Sequence, residues 1–441
     1  MKRIVRYVVG ALLSMGLIGH VIASGAGEQG APGKTPAATS AKAPVKLSLL
    51  IDNQSPTEGL RAVAAAAEKK FNIKIVFNLR PGGSEGDNVV KTRLAAGDMD
   101  DLCVYNSGSL YMALNPAKHF VDLTDEPYMA NILDSFKQTV SVNGRVYGAP
   151  SGELTAGGWF YNKKVYAELG LKVPRTWAEL MANCEKIKAA GKIPVVASYK
   201  DDWTSQLILL ADYYNVQAKY LKFADDYTAG KAKFATTPIA LRGFEKLQEV
   251  YIKGYINKDP LATTYEQALK MLLDGQGGHY PMLAFALPNM QAIDPEKVKD
   301  IGFFGQPGDD VSNNGLTVWI PGNISIYKGS KNIDAAKQFI RFCLSVEGFA
   351  IYMAAQKPTG PFAVKGITLP DDILPAVKDV LVYVNNNKTA PALEFLSPIK
   401  GPNLPQICVQ TGIGIKSPLE SAKEYDRDVE KQAKQLGLPG W

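Results

Sequence analysis

Short apolar runs alternate with amphipathic segments along most of the chain. Val45 to Ile51 is an apolar run of strand length that ends in a polar loop, and Glu58 to Phe71 has the composition of a helix. Ile73 to Phe77 and Leu102 to Tyr105 predict the next two strands. This alternation predicts an α/β fold with parallel sheets that are covered by helices on both faces. Ligands of such sheets bind beyond the carboxyl ends of the strands.

The region that begins at Asn143-Gly144 carries the most specific local signals. This dipeptide predicts a tight turn between two extended pieces. Thr176, with Glu179 three residues later, predicts the capped start of a helix, and Gly191 is placed to end it. Between them, apolar residues recur at the spacing of one helix face: Trp177, Leu180, Met181, Cys184 and Ile187.

Three sequence pieces follow one another across this region: NGRVYGAP at 143–150, YNKK at 161–164 and PRTWAEL at 174–180. SKN at 330–332 and PTGP at 358–361 extend the pattern. Together they resemble the extracellular solute-binding proteins of ABC importers, in the sugar-binding branch that includes maltose-binding protein. The resemblance covers roughly residues 45–441.

The resemblance implies a two-lobe periplasmic-binding-protein fold with a hinge and a ligand cleft between the lobes. It assigns residues 45–153 and 318–362 to the first lobe, and residues 156–315 and 363–441 to the second. It also implies that ligand is captured in the open cleft, that the hinge closes, and that a membrane permease receives the ligand. The ATPase of such a transporter is a separate subunit.

The N-terminal segment has the features of an export signal. Residues 1–23 combine Lys2, Arg3 and Arg6 with an apolar run too short to span a bilayer, which predicts a signal peptide, with an uncleaved anchor as the alternative. Residues 24–44 are small and polar, which predicts a flexible linker. Because the first cysteine is Cys103, no lipoprotein cysteine is present, and we expect a soluble periplasmic protein.

Charge and cysteine usage exclude several classes of function. The formal net charge is +6, but three basic residues lie in the targeting segment, and the remainder nearly balances 43 acidic residues. This balance argues against nucleic-acid binding. The four cysteines lack the spacing of a metal or redox site, so buried thiols are expected, with a disulfide left open: Cys103, Cys184, Cys343 and Cys408.

Catalysis finds little support in the sequence. There are three histidines, and neither a nucleophile elbow nor a zinc-protease motif is present. We therefore expect no enzyme activity, no cofactor and no metal, although composition alone leaves a glycosidase-like pair of carboxylates open.

A sugar site needs flat aromatic surfaces for C–H faces and planar polar groups for hydroxyls. Asp202-Trp203, in a loop after a predicted strand, is the best such pair, with domain packing as the alternative for Trp203. Phe285 takes the place of a stacking tryptophan of the family, and core packing is an equal alternative. Trp159, just after the crossover, and Trp319, in a predicted strand, are further aromatic candidates, with core packing as the alternative for both. Four polar candidates lie in predicted loops or the crossover: Gln54, Asn106, Ser107 and Glu153.

The sequence thus predicts a monomeric carbohydrate-binding component of an ABC importer, with a carbohydrate ligand and permease subunits as partners. A sensory binding protein would have the same fold. A binder of another small solute and a secreted carbohydrate-active enzyme are the remaining alternatives.

Overall fold

The computed structural model describes residues 43–441. The predicted signal peptide, and the predicted linker up to residue 42, lie outside the described residues. The strands within residues 43–441 are β1 (Val45–Asp52), β2 (Ile73–Arg80), β3 (Leu102–Tyr105), β4 (Ser141–Val142), β5 (Arg145–Val146), β6 (Ala149–Pro150), β7 (Thr155–Asn162), β8 (Ile193–Val195), β9 (Gly277–Leu283), β10 (Ile301–Gly305), β11 (Leu316–Trp319), β12 (Asn323–Ile326) and β13 (Thr389–Pro391).

The α-helices of the same range are α1 (Glu58–Phe71), α2 (Gly83–Ala96), α3 (Ser109–Met112), α4 (Pro116–His119), α5 (Asp134–Thr139), α6 (Lys163–Glu168), α7 (Trp177–Ala189), α8 (Leu207–Ala211), α9 (Tyr213–Lys219), α10 (Phe223–Thr228), α11 (Pro238–Ile252), α12 (Tyr265–Leu273), α13 (Leu287–Ile293), α14 (Ile333–Cys343), α15 (Val346–Ala355), α16 (Pro375–Asn385), α17 (Leu393–Leu396), α18 (Leu404–Gly412) and α19 (Pro418–Gln435). No helix in the described part of the chain has the length and apolar character needed to cross a membrane.

Two separate sheets organise the molecule, and each forms the centre of one lobe. The first sheet has the order β2-β1-β3-β12-β6. The second has the order β13-β11-β7-β9-β8, and β10 shares one edge of β7 with β11. Helices α1, α14 and α15 pack with the first sheet, while α11, α16, α18 and α19 belong to the second lobe.

The sheets are mixed, which corrects the prediction of parallel sheets. β1, β2 and β3 are parallel, as the alternation of strands and helices predicts. β12 runs antiparallel to β3, and β7 runs antiparallel to β9, β10 and β11. Both β7 and β12 enter their sheets from the other lobe, so no crossover helix sets their direction.

The chain passes between the lobes three times, and the crossings lie side by side. The first crossing joins β6 to β7, the second joins β11 to β12, and the third lies between α15 and α16. The Ser151 N–H donates to the Gly322 carbonyl at 3.0 Å, and the Leu154 N–H donates to the Pro361 carbonyl at 2.8 Å. These bonds tie the crossings into one narrow hinge. The predicted lobe boundary at residue 318 falls inside β11, which is a strand of the second sheet.

The local signals around Asn143 correspond to regular structure. Asn143 and Gly144 have φ angles of 50° and 76° and connect β4 to β5, so the predicted tight turn is confirmed. The Thr176 side chain accepts a hydrogen bond from the Glu179 N–H at 3.2 Å and begins α7. The helix ends at Ala189, and Gly191, two residues later, has a φ of 75° that suits glycine. All five apolar residues predicted for one face of α7 are buried.

The four cysteine thiols are free, so the disulfide that the sequence left open is not formed. Cys103, Cys184 and Cys408 are buried. Burial raises the pKa of Cys103 to about 12, which keeps that thiol protonated and unreactive.

A buried ion pair lies in the second lobe. Asp212 lies between α8 and α9, and Lys246 is on α11; both side chains are 1% exposed. Lys246 Nζ lies 2.6 Å from Asp212 Oδ1 and also donates to the Pro307 carbonyl at 3.0 Å. The same carboxylate oxygen accepts from Asn215 Nδ2 at 2.7 Å. This network joins α11 to the α8–α9 junction.

Candidate ligand-binding cleft

A cleft with a volume of about 310 Å³ lies between the two lobes, with the hinge crossings in its wall. The loops that follow β1, β2 and β3 line it from the first lobe. This placement agrees with the rule that ligands bind beyond the carboxyl ends of parallel strands. Segments around residues 203–207, 283–288 and 400–405 line it from the second lobe. The volume is in the range of small-molecule sites, roughly 300–1,000 Å³.

Three aromatic rings form a cluster on the second-lobe side of the cleft. Trp203 lies in a short 3-10 turn after β8, and Phe285 lies in another after β9. The Trp203 ring centroid is 5.5 Å from that of Tyr265 and 5.9 Å from that of Phe285. Trp203 and Phe285 line the cleft, while Tyr265 is buried behind them. Such a surface offers apolar contact area at a low cost in conformational entropy.

Trp319 contributes a further aromatic surface beside the hinge. It lines the cleft but is only 8% exposed. Its indole N–H donates to Glu394 Oε1 at 2.6 Å, and Lys400 Nζ lies 2.7 Å from Glu394 Oε2. Gly157 makes room for the ring, because a Cβ there would lie 2.1 Å from it. Trp319 therefore presents only a small part of its ring to the cleft.

Three polar side chains in the cleft wall keep buried atoms without a hydrogen-bond partner among the described residues. They are Arg80 Nε, Glu153 Oε1 and Gln206 Oε1. Arg80 is 5% exposed and Gln206 is 7% exposed. A buried polar atom left unpaired costs about 1–3 kcal/mol, so a ligand that supplies the missing donors and acceptor gains that energy. Glu153 was predicted from the sequence, whereas Arg80 and Gln206 were not.

The Glu153 carboxyl is a titratable group of the hinge. Burial raises its pKa from 4.5 to about 7, and the nearby Tyr352 hydroxyl limits the rise. At a pH between about 4.5 and about 7, the Glu153 carboxyl is therefore protonated in the folded protein but ionised in the unfolded chain. The contribution of Glu153 to the free energy of unfolding therefore falls as the pH rises from about 4.5 to about 7.

Glu153→Gln imitates the protonated acid at every pH. We expect this change to raise the free energy of unfolding by roughly 1–3 kcal/mol at pH 8 and to have little effect at pH 5. Urea titrations of both proteins at the two pH values measure the difference. Glu266→Gln, which alters an exposed carboxylate, is the matched control. An effect of Glu153→Gln that is the same at both pH values would contradict the titration of this group.

The two lobes contact each other directly across the cleft, so the structure is a closed conformation. Gln54 of the first lobe donates from Nε2 to Asp201 Oδ1 at 2.6 Å and accepts at Oε1 from the Trp203 indole N–H at 2.8 Å. Its main-chain carbonyl accepts from Asn289 Nδ2 at 2.9 Å. Both polar atoms of the Gln54 side chain are thus used in closing the lobes.

A second contact lies at the rim of the cleft. Gln406 Nε2 donates to Ser84 Oγ of the first lobe at 3.0 Å and to Asp202 Oδ2 of its own lobe at 2.8 Å. Gly83, with a φ of 62°, allows this approach because a Cβ there would lie 2.6 Å from Asp202 Oδ1. Asp202 was predicted to bind ligand, and the structure places it in this interlobe contact.

Two further predicted residues, Trp159 and Ser107, are not part of the cleft wall. Trp159 is fully buried on β7, stacks on Phe304, and its indole N–H donates to Gln306. Alternate residues of a strand point to opposite faces, and this one faces the second-lobe core. Ser107 is also buried, and its hydroxyl donates to the Pro321 carbonyl at 2.6 Å, which fixes the second crossing. The predicted residues that the structure brings to the cleft wall are Gln54, Asn106, Glu153, Trp203, Phe285 and Trp319.

No group of three His, Cys, Asp or Glu side chains within residues 43–441 is arranged to hold a metal ion. The wall of the cleft contains aromatic rings, amides, hydroxyls and a few charged side chains.

The architecture and the sequence both match a known family. The model of the bacterial extracellular solute-binding proteins matches residues 53–348, the greater part of the chain. The chain belongs to this family. The resemblance drawn from the sequence is confirmed, and so is the α/β two-lobe fold with its interlobe cleft.

Individual relatives extend over most of the molecule. The chain is 28% identical over 293 residues to the multiple sugar-binding protein of Streptococcus mutans, covering 64% of this chain and 67% of that protein. It is 25% identical over 400 residues to an uncharacterized ABC transporter extracellular-binding protein of Pyrococcus horikoshii, with 87% and 89% covered.

Solved structures agree on the fold. A chitin oligosaccharide binding protein superposes with a TM-score of 0.77 at 21% identity, covering 89% of this chain and all of that chain. A sugar transporter protein from Bacillus licheniformis in complex with stachyose gives a TM-score of 0.69 at 20% identity, covering 88% of this chain and all of that one. At these identities the likeness establishes the shared fold of this solute-binding family.

Proposed function

We propose that this protein is the extracytoplasmic substrate-binding component of an ABC importer, and that it captures a mono- or oligosaccharide in the interlobe cleft. One observation carries the proposal. The cleft sets the ring surfaces of Trp203 and Phe285 in the same cavity as unpaired buried atoms of Arg80, Glu153 and Gln206. A sugar has C–H faces for the rings and hydroxyls for the unpaired atoms.

The roles of the cleft residues follow from their chemistry. Trp203 and Phe285 stack against the C–H face of a sugar ring, and the exposed part of Trp319 bounds the site near the hinge. Glu153 and Gln206 accept hydrogen bonds from hydroxyls. Asn106, which also lines the cleft, supplies a planar amide that both donates and accepts. Several relatives bear names that fit this chemistry, among them a melibiose, raffinose and stachyose-binding protein of Bacillus subtilis and a diacetylchitobiose binding protein of Streptomyces coelicolor.

Delivery depends on closure of the hinge around the ligand. A ligand drives closure only if it binds the closed state better than the open one. A saccharide held between Trp203 and the first-lobe polar groups meets this condition, because each lobe supplies part of the site. The closed protein then docks on the permease, whose ATPase is a separate subunit. We expect residues 1–23 to direct export and the mature protein to act as a monomer in the periplasm.

A thermal-shift screen tests the proposal. Purified protein is heated with mono- and oligosaccharides, including raffinose, stachyose, cellobiose, galactobiose and diacetylchitobiose, and with amino acids, dipeptides and polyamines as the comparison panel. A saccharide at 100 times its Kd should add about 2.7 kcal/mol to the free energy of unfolding and raise the midpoint by several degrees. Calorimetry should then give one site per chain. A shift with the comparison panel alone would assign the cleft to that other class of solute, and the carbohydrate proposal would be wrong.

A further inference from the structure

Arg80 is a buried cation without an ion pair in the described part of the chain. It ends β2, lines the cleft, and uses Nη1 to donate to the Pro81 carbonyl at 3.0 Å. Its Nε has no hydrogen-bond partner among residues 43–441. The buried Lys246, by contrast, is paired with a carboxylate at 2.6 Å. Burying an unpaired charge is costly, so the free donor of Arg80 indicates that an acceptor arrives with the ligand.

The surroundings of Arg80 determine which kind of acceptor is suitable. Its guanidinium carbon lies 5.3 Å from the centroid of the Tyr105 ring, and the Tyr105 hydroxyl donates to Asp87 Oδ1 at 2.7 Å. Gly86 lets the guanidinium pack closely, because a Cβ there would lie 2.6 Å from Arg80 Nη1. Asp52 is the register partner of Arg80 in the neighbouring strand β1. One donor group therefore lies among two carboxylates that also line the cleft.

The cleft as a whole carries more acidic than basic groups. Its wall contains four carboxyl groups and two cations: Asp52, Asp87, Glu153, Glu394, Arg80 and Lys400. Lys400 is committed to Glu394 at 2.7 Å, which leaves Arg80 as the cation available to a ligand. A ligand carboxylate would gain this one contact but would share the cleft with the Asp52 and Asp87 carboxylates, and like charges repel. A neutral sugar avoids this repulsion, and two neighbouring hydroxyls supply both the acceptor for Arg80 and a donor for Asp87.

We infer that Arg80, Tyr105 and Asp87 form a first-lobe subsite for one neutral sugar ring, and that the carboxylates beside Arg80 exclude saccharides that carry a carboxylate. This inference rests on the proposed function. It adds that the protein takes neutral saccharides and rejects uronic acids.

Calorimetry with matched pairs of saccharides tests the inference. The pairs are cellobiose with cellobiouronate and galactobiose with digalacturonate, because each pair differs in carboxylate content on the same type of disaccharide. Where the neutral member of a pair binds, its Kd should be at least about ten-fold lower than the Kd of the acidic member. Asp87→Asn keeps the shape of the side chain and the Tyr105 contact but removes one charge. This variant should reduce the ratio of the acidic Kd to the neutral Kd by about three-fold or more.

Asp98→Asn is the matched control, since it removes an exposed carboxylate from the same lobe. It should leave the ratio unchanged, and both variants should melt near the wild-type temperature. Equal or tighter binding of the acidic saccharide would overturn the inference while leaving the proposed function in place, and so would equal ratios for Asp87→Asn and Asp98→Asn. If no saccharide of any kind binds, the proposed function fails and the inference fails with it.

Discussion

Replacing Trp203 by alanine should weaken saccharide binding by about one hundred-fold, because buried tryptophan contacts typically contribute about 2–4 kcal/mol to recognition. The change removes the ring that lines the second-lobe side of the cleft, and it removes the indole N–H that donates to Gln54 Oε1 at 2.8 Å. The ring also packs on Tyr265 at 5.5 Å, so we expect a loss of about 1–2 kcal/mol in unliganded stability without loss of the fold. Calorimetry and thermal unfolding measure both effects.

Trp203→Phe separates the two contributions of this residue. Phenylalanine keeps an aromatic face for the sugar but cannot make the bond to Gln54. Its binding should therefore lie between those of wild type and Trp203→Ala, with a faster release of ligand because the interlobe contact is lost. Trp441→Ala, which removes a tryptophan outside the cleft wall, should bind like wild type. Wild-type affinity in Trp203→Ala would refute the stacking role, and an unfolded Trp203→Ala would show that the ring is structural.

Replacing Asp212 by alanine should lower the free energy of unfolding by about 3–5 kcal/mol, because it leaves Lys246 charged and buried without its partner. Both side chains are 1% exposed, so solvent cannot compensate. The double variant Asp212→Ala/Lys246→Met removes both charges and should recover most of the lost stability. Guanidinium titrations followed by circular dichroism measure all three proteins.

The control for this prediction is an ion pair on the surface. Lys164 Nζ lies 2.6 Å from Asp300 Oδ2, and the Lys164 side chain is 74% exposed. Asp300→Ala should therefore lower the free energy of unfolding by at most about 1 kcal/mol. If Asp212→Ala costs no more than Asp300→Ala, the buried pair does not stabilise the second lobe. A double variant that is less stable than Asp212→Ala would also contradict this explanation.

Local sequence signals predicted local structure well. Asn143-Gly144 is a tight turn because both residues adopt positive φ, and α7 begins at Thr176 because its hydroxyl caps the helix. Trp203 was predicted to lie at the cleft because it follows a predicted strand, and strand ends meet at the same edge of a sheet, whereas Phe285 was predicted from the resemblance to the family. The turn and the helix cap depend on neighbouring residues, so the local sequence determines them.

Features that depend on distant residues could not be predicted in the same way. Trp159 and Phe160 are adjacent on β7 and both are buried, in clusters on opposite faces of the sheet. Only the packing of the second lobe determines that neither ring reaches the cleft. Gln54 was predicted as a ligand contact, but its side chain bonds to Asp201, 147 residues away. No local signal in the sequence marks Arg80, at the end of β2, as a buried residue. Its burial depends on Gly86 and Tyr105, which the fold brings beside it.

A saccharide bound as we propose lies between the lobes and contacts both of them. Hydrogen–deuterium exchange, measured with and without a saturating saccharide, locates the ligand because it reports each segment separately. We expect protection of the first-lobe segments 52–56 and 80–87, the second-lobe segments 202–207 and 283–288, and the hinge at 151–155. Surfaces away from the cleft, such as the exposed face of α19, should be unchanged. Protection confined to one lobe, or lying outside these segments, would contradict capture in the interlobe cleft.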